Sequence, residues 1–198
     1  WIRVKNVVQP YPLQPEQAEA RPIPAPVGLE PEQHGSNCPR TALLETPDFN
    51  PGKRPMENAV RKLFERYESF FKRSLEGNSD MDEVASLYAA HFIAASPAGV
   101  MTGKNDDQLK QIMTRGYAHY RAIGTKGMRI SHIRLSPIDE HHCVAHVSWT
   151  ATYARTDQND TIIDFDVHYL VQKLDGDARV FGWVSGDEQA LLKQHGIV

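Results

Sequence analysis

The chain has 198 residues, enough for one domain and a further segment, and its hydrophobic fraction of 40% is typical of a globular protein. A formal net charge of −3, without a cluster of Lys and Arg, argues against a nucleic-acid-binding surface. No run approaches the roughly 18 apolar residues that a membrane-spanning helix needs, and no signal-peptide pattern is evident. The two cysteines, Cys38 and Cys143, lie in dissimilar regions, which favours a reducing compartment and predicts a cytoplasmic protein.

The prolines divide the chain into two parts. Eleven of the 13 prolines precede residue 56, and only Pro97 and Pro137 follow it. Because proline fixes φ and removes an amide donor, residues 1–55 are predicted to form a disordered leader. A ligand for a proline-binding module and an extension preceding a natural start at Met56 are the alternatives. Residues 56–198 are predicted to form the folded domain.

Three helices are predicted in the first half of this domain. Apolar residues recur every three or four positions over 59–75, which predicts a helix that ends before Gly77. Ser79 or Asp80 begins a second, shorter helix that extends through Tyr88. A third helix is capped by Asn105 and ends at Gly124.

Strands dominate the remainder of the chain. A short strand at 92–95 and a turn at 96–99 separate the second and third helices. Long strands are predicted at 126–135, 143–155, 161–173 and 178–185, and a short helix at 187–195 follows them. The odd-numbered residues at 145–153 in the second of these strands and at 163–171 in the third are apolar, so they are predicted to face the helices. Helices gathered on one face of an antiparallel sheet indicate an α+β fold.

Three segments carry a resemblance to a known superfamily: Leu87–Phe92 with the turn Ser96–Gly99, Asp164–Tyr169, and Phe181–Glu188. Together with the order of elements, they resemble the NTF2-like (SnoaL-like) superfamily, and the last segment is similar to uncharacterised bacterial members. The resemblance implies an α+β cone. In it, three N-terminal helices pack on a curved antiparallel sheet, a short helix ends the chain, and a pocket lies inside.

The resemblance implies that aromatic residues of both layers form the core and line this pocket. A pocket of this composition suits a small, mostly apolar ligand. The candidate pocket residues are Tyr67, Tyr88, Phe92, Ser96, Tyr117, Tyr120, Trp149, Phe165, Tyr169 and Trp183.

The resemblance also allows a test for ketosteroid isomerase chemistry. That branch uses a carboxylate directly before a Pro-x-Gly turn as its base, where this chain has Ser96. It holds the oxyanion with a tyrosine and a protonated acid, where this chain has Phe70 and Val167. These catalytic positions are therefore expected to be lost. His91 is the weak candidate for a general acid or base at the pocket mouth, and its alternative role is to interact with a helix dipole.

Polar residues on the second and third long strands share the predicted outer face. Two imidazoles and two carboxylates, of His146, Asp164, Asp166 and His168, raise the possibility of a metal site, but alternating strands routinely produce such sets. We predict a polar surface or a homodimer face instead, with no metal, cofactor, nucleic acid or membrane partner.

Three functions follow from the sequence. The first is a domain that binds a small apolar ligand, as a homodimer. The second is an acid–base enzyme of the isomerase, dehydratase or hydrolase type that uses His91. The third is an interaction module with no ligand.

Overall fold

The computed structural model describes residues 53–155 and 159–198. Its helices are α1 (Lys53–Leu75), α2 (Met81–Ser86), α3 (Asp107–Ala122) and α4 (Glu188–Gln194). Its strands are β1 (Tyr88–Ser96), β2 (Gly99–Lys104), β3 (Thr125–Pro137), β4 (His142–Tyr153), β5 (Thr161–Gln172) and β6 (Arg179–Ser185). Within these described ranges, none of the helices has the length and apolar character needed to cross a membrane. Residues 1–52 of the predicted leader lie outside the described residues, as do residues 156–158.

Helix α1 begins at Lys53, three residues before the predicted boundary at Met56. Pro55 is compatible with this start because the first amides of a helix have no partner within the helix. The apolar stripe is confirmed, with Val60 and Phe64 fully buried. On the same helix, the Glu68 carboxylate accepts a hydrogen bond from the Ile130 amide at 3.0 Å, where the register of β3 shifts. This bond ties α1 to the sheet.

The caps of α2 and α3 depend on acidic side chains. Asp80 caps α2 as predicted, accepting from the amides of Asp82 and Glu83. The predicted cap of α3 at Asn105 is wrong, since Asp106 holds that position. The Asn105 amide instead donates to the carbonyl of Ala85 at 2.7 Å, so this side chain joins α3 to the end of α2.

A hairpin replaces the predicted short strand between the second and third helices. Strand β1 begins at Tyr88, so the prediction that the second helix extends through Tyr88 is wrong. Strand β2 was not predicted, because Gly99–Lys104 lacks alternation and contains two glycines. The two strands pair antiparallel around the predicted turn, with Ser96 opposite Gly99.

The six strands form one curved sheet in the order β2-β1-β6-β5-β4-β3. Neighbours pair antiparallel except β1 and β6, which run parallel, with Ile93 opposite Gly182. The four long strands and α4 lie within a few residues of their predicted bounds. The predicted faces are confirmed, since the odd-numbered residues of β4 are all buried. Helix α1 packs against β3 and contacts α3, so the helices cover the inner face.

Candidate functional site

Five aromatic side chains from the helices and the sheet meet inside the domain. This aromatic interior consists of Tyr67, Tyr88, Tyr117, Trp149 and Tyr169. The ring centroid of Tyr67 lies 5.8 Å from that of Trp149 and 6.3 Å from those of Tyr88 and Tyr169. The side chains therefore pack directly on one another.

Hydroxyl groups within the aromatic interior bind each other. The Tyr88 hydroxyl donates to the Tyr67 hydroxyl at 3.2 Å. Burial raises the pKa of Tyr67, and the hydrogen bonds that Tyr67 makes with Tyr88 and Tyr117 partly offset this rise. Burial likewise raises the pKa of Tyr88, Tyr117 and Tyr169 well above the usual value. All four phenols are therefore neutral near pH 7, and none is poised to act as a base.

Trp149 is the largest fully buried side chain in the described part of the chain. Its indole N–H has no hydrogen-bond partner of ordinary geometry. The indole nevertheless lies close enough to the Tyr169 hydroxyl to lower the pKa of Tyr169, which partly offsets the rise caused by burial. This polar contact is weak, so Trp149 contributes chiefly through its buried area.

At the β1 edge of the aromatic interior, Phe92 stacks on Trp183 with centroids 5.1 Å apart. Because Phe92 is buried, strand alternation turns His91 to the opposite face of the sheet, where it is exposed. The role of His91 as a general acid or base at a pocket mouth stays a prediction. Ser96 is also exposed, and its hydroxyl accepts from the Ala98 amide at 3.2 Å within the turn.

A partly enclosed cavity of about 200 Å³, called the α4 cavity below, lies beneath the last helix. Its walls are mostly apolar. Phe165 lines it and belongs to the predicted pocket set, whereas the other predicted residues do not line it. The lining residues are Tyr153, Ile163, Phe165, Asp166, Val167, Ser185, Gly186, Asp187, Glu188, Leu191 and Leu192.

Glu188 is the principal polar group of the α4 cavity. The Tyr120 hydroxyl, on α3, donates to Glu188 Oε1 at 2.7 Å. Burial raises the pKa of Glu188, and the nearby His119 opposes that shift. Burial also raises the pKa of Tyr153, with a smaller contribution from the Glu188 charge. The carboxyl group of Glu188 and the phenol of Tyr153 thus line an apolar cavity, and the Tyr120 hydroxyl reaches the carboxyl group from α3.

From the sequence, Asp187 and Glu188 are interpreted only as the start of the short helix predicted at 187–195. That interpretation is correct for Asp187, whose carboxylate caps α4 by accepting from the Ala190 amide at 3.1 Å. Glu188 follows it in the first turn, where an acidic residue is common in any helix. The available signal was Tyr120, which belongs to the predicted pocket set and whose hydroxyl needs a polar partner when it is buried.

A second, open groove of about 510 Å³ runs past the start of α3 and is partly lined by Tyr88 and Asn105. Charged side chains along it form ion pairs. Lys110 Nζ lies 2.6 Å from Asp82 Oδ1 and 3.6 Å from Asp107 Oδ1. This open, polar and internally neutralised surface is a weaker candidate for a small apolar ligand than the α4 cavity.

The outer sheet face, defined by His146, Asp164, Asp166 and His168, consists of cross-strand pairs. Ser148 Oγ donates to Asp166, and Thr150 Oγ1 donates to Asp164, each at 2.6 Å. His146 Nδ1 lies 3.1 Å from His168 Nδ1. Partial burial lowers the pKa of His146, and Arg134 and His168 reinforce the shift. In the part of the chain that the structure describes, no three His, Cys, Asp or Glu side chains are grouped as metal ligands.

Comparison with known proteins agrees with this architecture. A family model described as NTF2-like protein (DUF6841) matches residues 57–188. No curated protein matches the sequence.

Solved structures with the same fold share little sequence with this chain. An NTF2-like protein with a cystatin-like fold from Novosphingobium aromaticivorans has a TM-score of 0.53 and 13% identity, over 71% of this chain and 92% of that one. A protein described as a scytalone dehydratase from the same species has a TM-score of 0.51 and 14% identity, over 68% and 85%. A Mycobacterium tuberculosis protein of unknown function has a TM-score of 0.51 and 13% identity, over 67% and 76%. Likeness at such low identity extends to the fold alone.

Proposed function

Because the chain belongs to the NTF2-like protein family DUF6841, we propose that its domain binds a small, mostly apolar ligand in the α4 cavity. The observation that carries this proposal is a cavity with apolar walls and a hydrogen-bonded, partly buried carboxyl group, that of Glu188. Ligand sites combine mostly apolar walls with a few placed polar groups, typically within about 300–1,000 Å³. At about 200 Å³, this cavity suits a ligand smaller than a typical drug.

A thermal-shift screen of the full chain against small apolar, carboxylated and amine-bearing metabolites tests this proposal. A ligand at about 100 times its dissociation constant stabilises a protein by roughly 2.7 kcal/mol, which gives a measurable shift. Leu191→Phe should fill the cavity and reduce the shift, because Leu191 lines it. Leu174→Phe is the matched control, since Leu174 is 56% exposed in a turn.

Two results would contradict the ligand proposal. One is the absence of any hit across the screen. The other is a hit that Leu191→Phe and Leu174→Phe weaken equally, because the ligand would then bind elsewhere. A protein without a hit that forms a stable dimer would favour the interaction module.

The same domain is proposed to form a homodimer through its outer sheet face. Ile93 and Val184, on neighbouring strands, are 43% and 47% exposed, although both are large apolar residues. Val184 lies opposite His168 in the sheet, so this apolar area adjoins the polar pairs. We expect sedimentation equilibrium of the natural chain to give twice the monomer mass. The Val184→Glu variant should give the monomer mass. A monomer at all concentrations, or an equal effect of Leu174→Glu, would refute the dimer.

A second candidate function is acid–base catalysis in the α4 cavity, with Glu188 in place of His91. The observation that favours it is a carboxyl group whose pKa is raised by burial, since such a group transfers protons closer to neutral pH. Any turnover found with a screened ligand should be lost in Glu188→Gln and retained in His91→Ala. Turnover that survives Glu188→Gln would exclude this role.

A further inference from the structure

Two imidazole rings contact each other on the outer sheet face. His146 and His168 lie opposite one another on β4 and β5. Their Nδ1 atoms are 3.1 Å apart, and their ring centroids are 4.8 Å apart. An imidazole nitrogen that carries a proton donates, and one without a proton accepts. The two Nδ1 atoms can therefore be hydrogen-bonded only while at least one of the two rings is neutral.

A chain of hydrogen bonds leads to this pair from β3. Arg134 donates to Ser136 Oγ at 3.1 Å, and Ser136 Oγ lies 3.0 Å from His146 Nε2. One arrangement of the protons satisfies each of these groups. In it, the Ser136 hydroxyl donates to Nε2, and His146 Nδ1 donates to His168 Nδ1. Both rings are then neutral, whereas protonation of both would set two N–H groups against each other.

The surrounding charges oppose a positive charge on His146. Burial lowers its pKa, the charges of Arg134 and His168 lower it further, and the Asp166 carboxylate opposes these effects. Asp164 is two positions further from the pair on β5. Because Asp166 does not outweigh the other contributions, the pair takes up protons reluctantly.

The residues that face the pair from the neighbouring strands supply no negative charge. On β6, Val184 lies opposite His168. On β3, Arg134 lies opposite His146, and His132 precedes Arg134 by two positions. These neighbours are apolar or basic, so a second positive charge on the pair would be poorly compensated.

We propose that the His146–His168 pair makes the homodimer sensitive to pH, so that acid separates the two copies. The inference rests on the proposed function, because it concerns the regulation of the same outer sheet face. Val184, which adjoins the pair, belongs to the apolar area assigned to that contact. A two-fold dimer brings both copies of the pair into one interface, where like charges that face each other disfavour association.

The direction of the pH dependence follows from proton linkage. Histidine has an ordinary pKa of about 6.5. Separated copies expose the pair to water, so they bind protons more readily than the dimer does. As the pH falls through this range, the separated state takes up more protons, and the dimer is therefore destabilised. As the pH rises again, the dimer is restored.

Sedimentation equilibrium of the full chain at about pH 7.5 and at about pH 5 tests this inference. The dissociation constant of the dimer should be at least about tenfold higher at the lower pH. Circular dichroism at both pH values checks that the chain stays folded.

His146→Gln combined with His168→Gln removes both titrating rings and keeps side chains that can hydrogen-bond to each other. The dissociation constant of this glutamine variant should change less than about twofold between the two pH values. His141→Gln combined with His195→Gln is the matched control. These two histidines are exposed, before β4 and after α4, so the control should keep the pH dependence of the natural chain.

The outcomes separate the inference from the homodimer itself. Acid dissociation in the natural chain and the control, but not in the glutamine variant, supports the inference. Equal dissociation constants at the two pH values would overturn the inference and leave the homodimer intact. Acid dissociation that persists in the glutamine variant would also overturn it and would implicate His132 instead. A monomer at both pH values would contradict the homodimer and the inference with it.

Proton NMR titration of the imidazole rings keeps the inference falsifiable if the glutamine variant does not fold. In the natural chain, His146 and His168 should titrate as a coupled pair, with two separate steps. Two independent titrations near the ordinary pKa of histidine would overturn the inference.

Discussion

The aromatic interior and the α4 cavity are both built around tyrosines, but they differ in what occupies the space between side chains. In the aromatic interior, the Tyr67 ring contacts those of Tyr88, Trp149 and Tyr169, and its hydroxyl is hydrogen-bonded to Tyr88. Around the α4 cavity, Tyr120 hydrogen-bonds to a carboxyl group, and about 200 Å³ remains open.

This difference separates stability from recognition. Rings that fill a space completely lose contacts when truncated, and the loss appears in the free energy of unfolding. A side chain next to open volume makes fewer packing contacts, so its replacement is expected to cost less stability. We therefore expect changes in the aromatic interior to alter stability first, and changes at Glu188 to alter binding first.

The largest effect is expected for Trp149→Ala. Trp149 is only 1% exposed and contacts Tyr67 in the middle of the aromatic interior. Truncation of such a residue typically costs about 3–5 kcal/mol, which urea denaturation will measure. Leu191→Ala, beside the existing cavity, should cost clearly less. If Trp149→Ala costs less than about 1 kcal/mol, the interior is not tightly packed.

Gly103→Ala tests packing at the β1 edge. A Cβ atom at Gly103 would overlap the ring of Phe92, which stacks on Trp183. Overpacking of this kind costs about 1–3 kcal/mol. Gly127→Ala is the control, since a Cβ there meets nothing within 4 Å. Equal stabilities of the two variants would show that Phe92 moves aside freely.

Tyr88→Phe removes the hydroxyl that donates to Tyr67. One neutral hydrogen bond contributes about 0.5–1.5 kcal/mol to the free energy of unfolding, so a loss of about 1 kcal/mol is expected. A double-mutant cycle with Tyr67→Phe should show coupling between the two positions. Additive losses would mean that the hydroxyls act independently.

The smallest effect, and the only one that depends on pH, is expected for Glu188→Gln. Burial raises the pKa of Glu188 in the folded state above its ordinary value. At a pH below that ordinary pKa, Glu188 is protonated in both the folded and the unfolded state, so its ionisation costs no stability. As pH rises through the folded-state pKa, the natural chain loses stability that the glutamine variant retains.

The difference in unfolding free energy, Glu188→Gln minus the natural chain, should therefore increase from acidic to neutral pH and then level off. Urea denaturation at a series of pH values measures it, with Glu76→Gln as the flat control. A difference that decreases with pH would show that Glu188 is stabilised in its charged form.

Local patterns predicted most of the fold. Alternation in β4 and β5 identified the buried faces because strand periodicity is set within the strand. Strand β2 was missed because pairing with β1, rather than its own composition, holds Gly99–Lys104 in the sheet. The cap of α3 was predicted at the wrong residue because the Asn105 side chain donates to the Ala85 carbonyl, a contact that depends on tertiary packing.

The candidate site was less predictable. His91 was expected at a helix end, but β1 already begins at Tyr88, and alternation from the buried Phe92 turns His91 outward. Glu188 resembles any acid in a first helical turn. Its hydrogen bond to Tyr120, which is distant in the sequence, forms only when α4 docks near α3. The ligand-binding role of the predicted aromatic set remains a prediction.

The parallel pairing of β1 with β6 has a consequence for how the chain folds. Ile93, early in the domain, pairs with Gly182 near its end, so this contact closes a very long loop. Contacts of high sequence separation slow folding, and the β1–β2 hairpin keeps an unpaired edge until β6 has been synthesised. We therefore expect this hairpin to join the sheet last, leaving nascent chains open to chaperones at that edge.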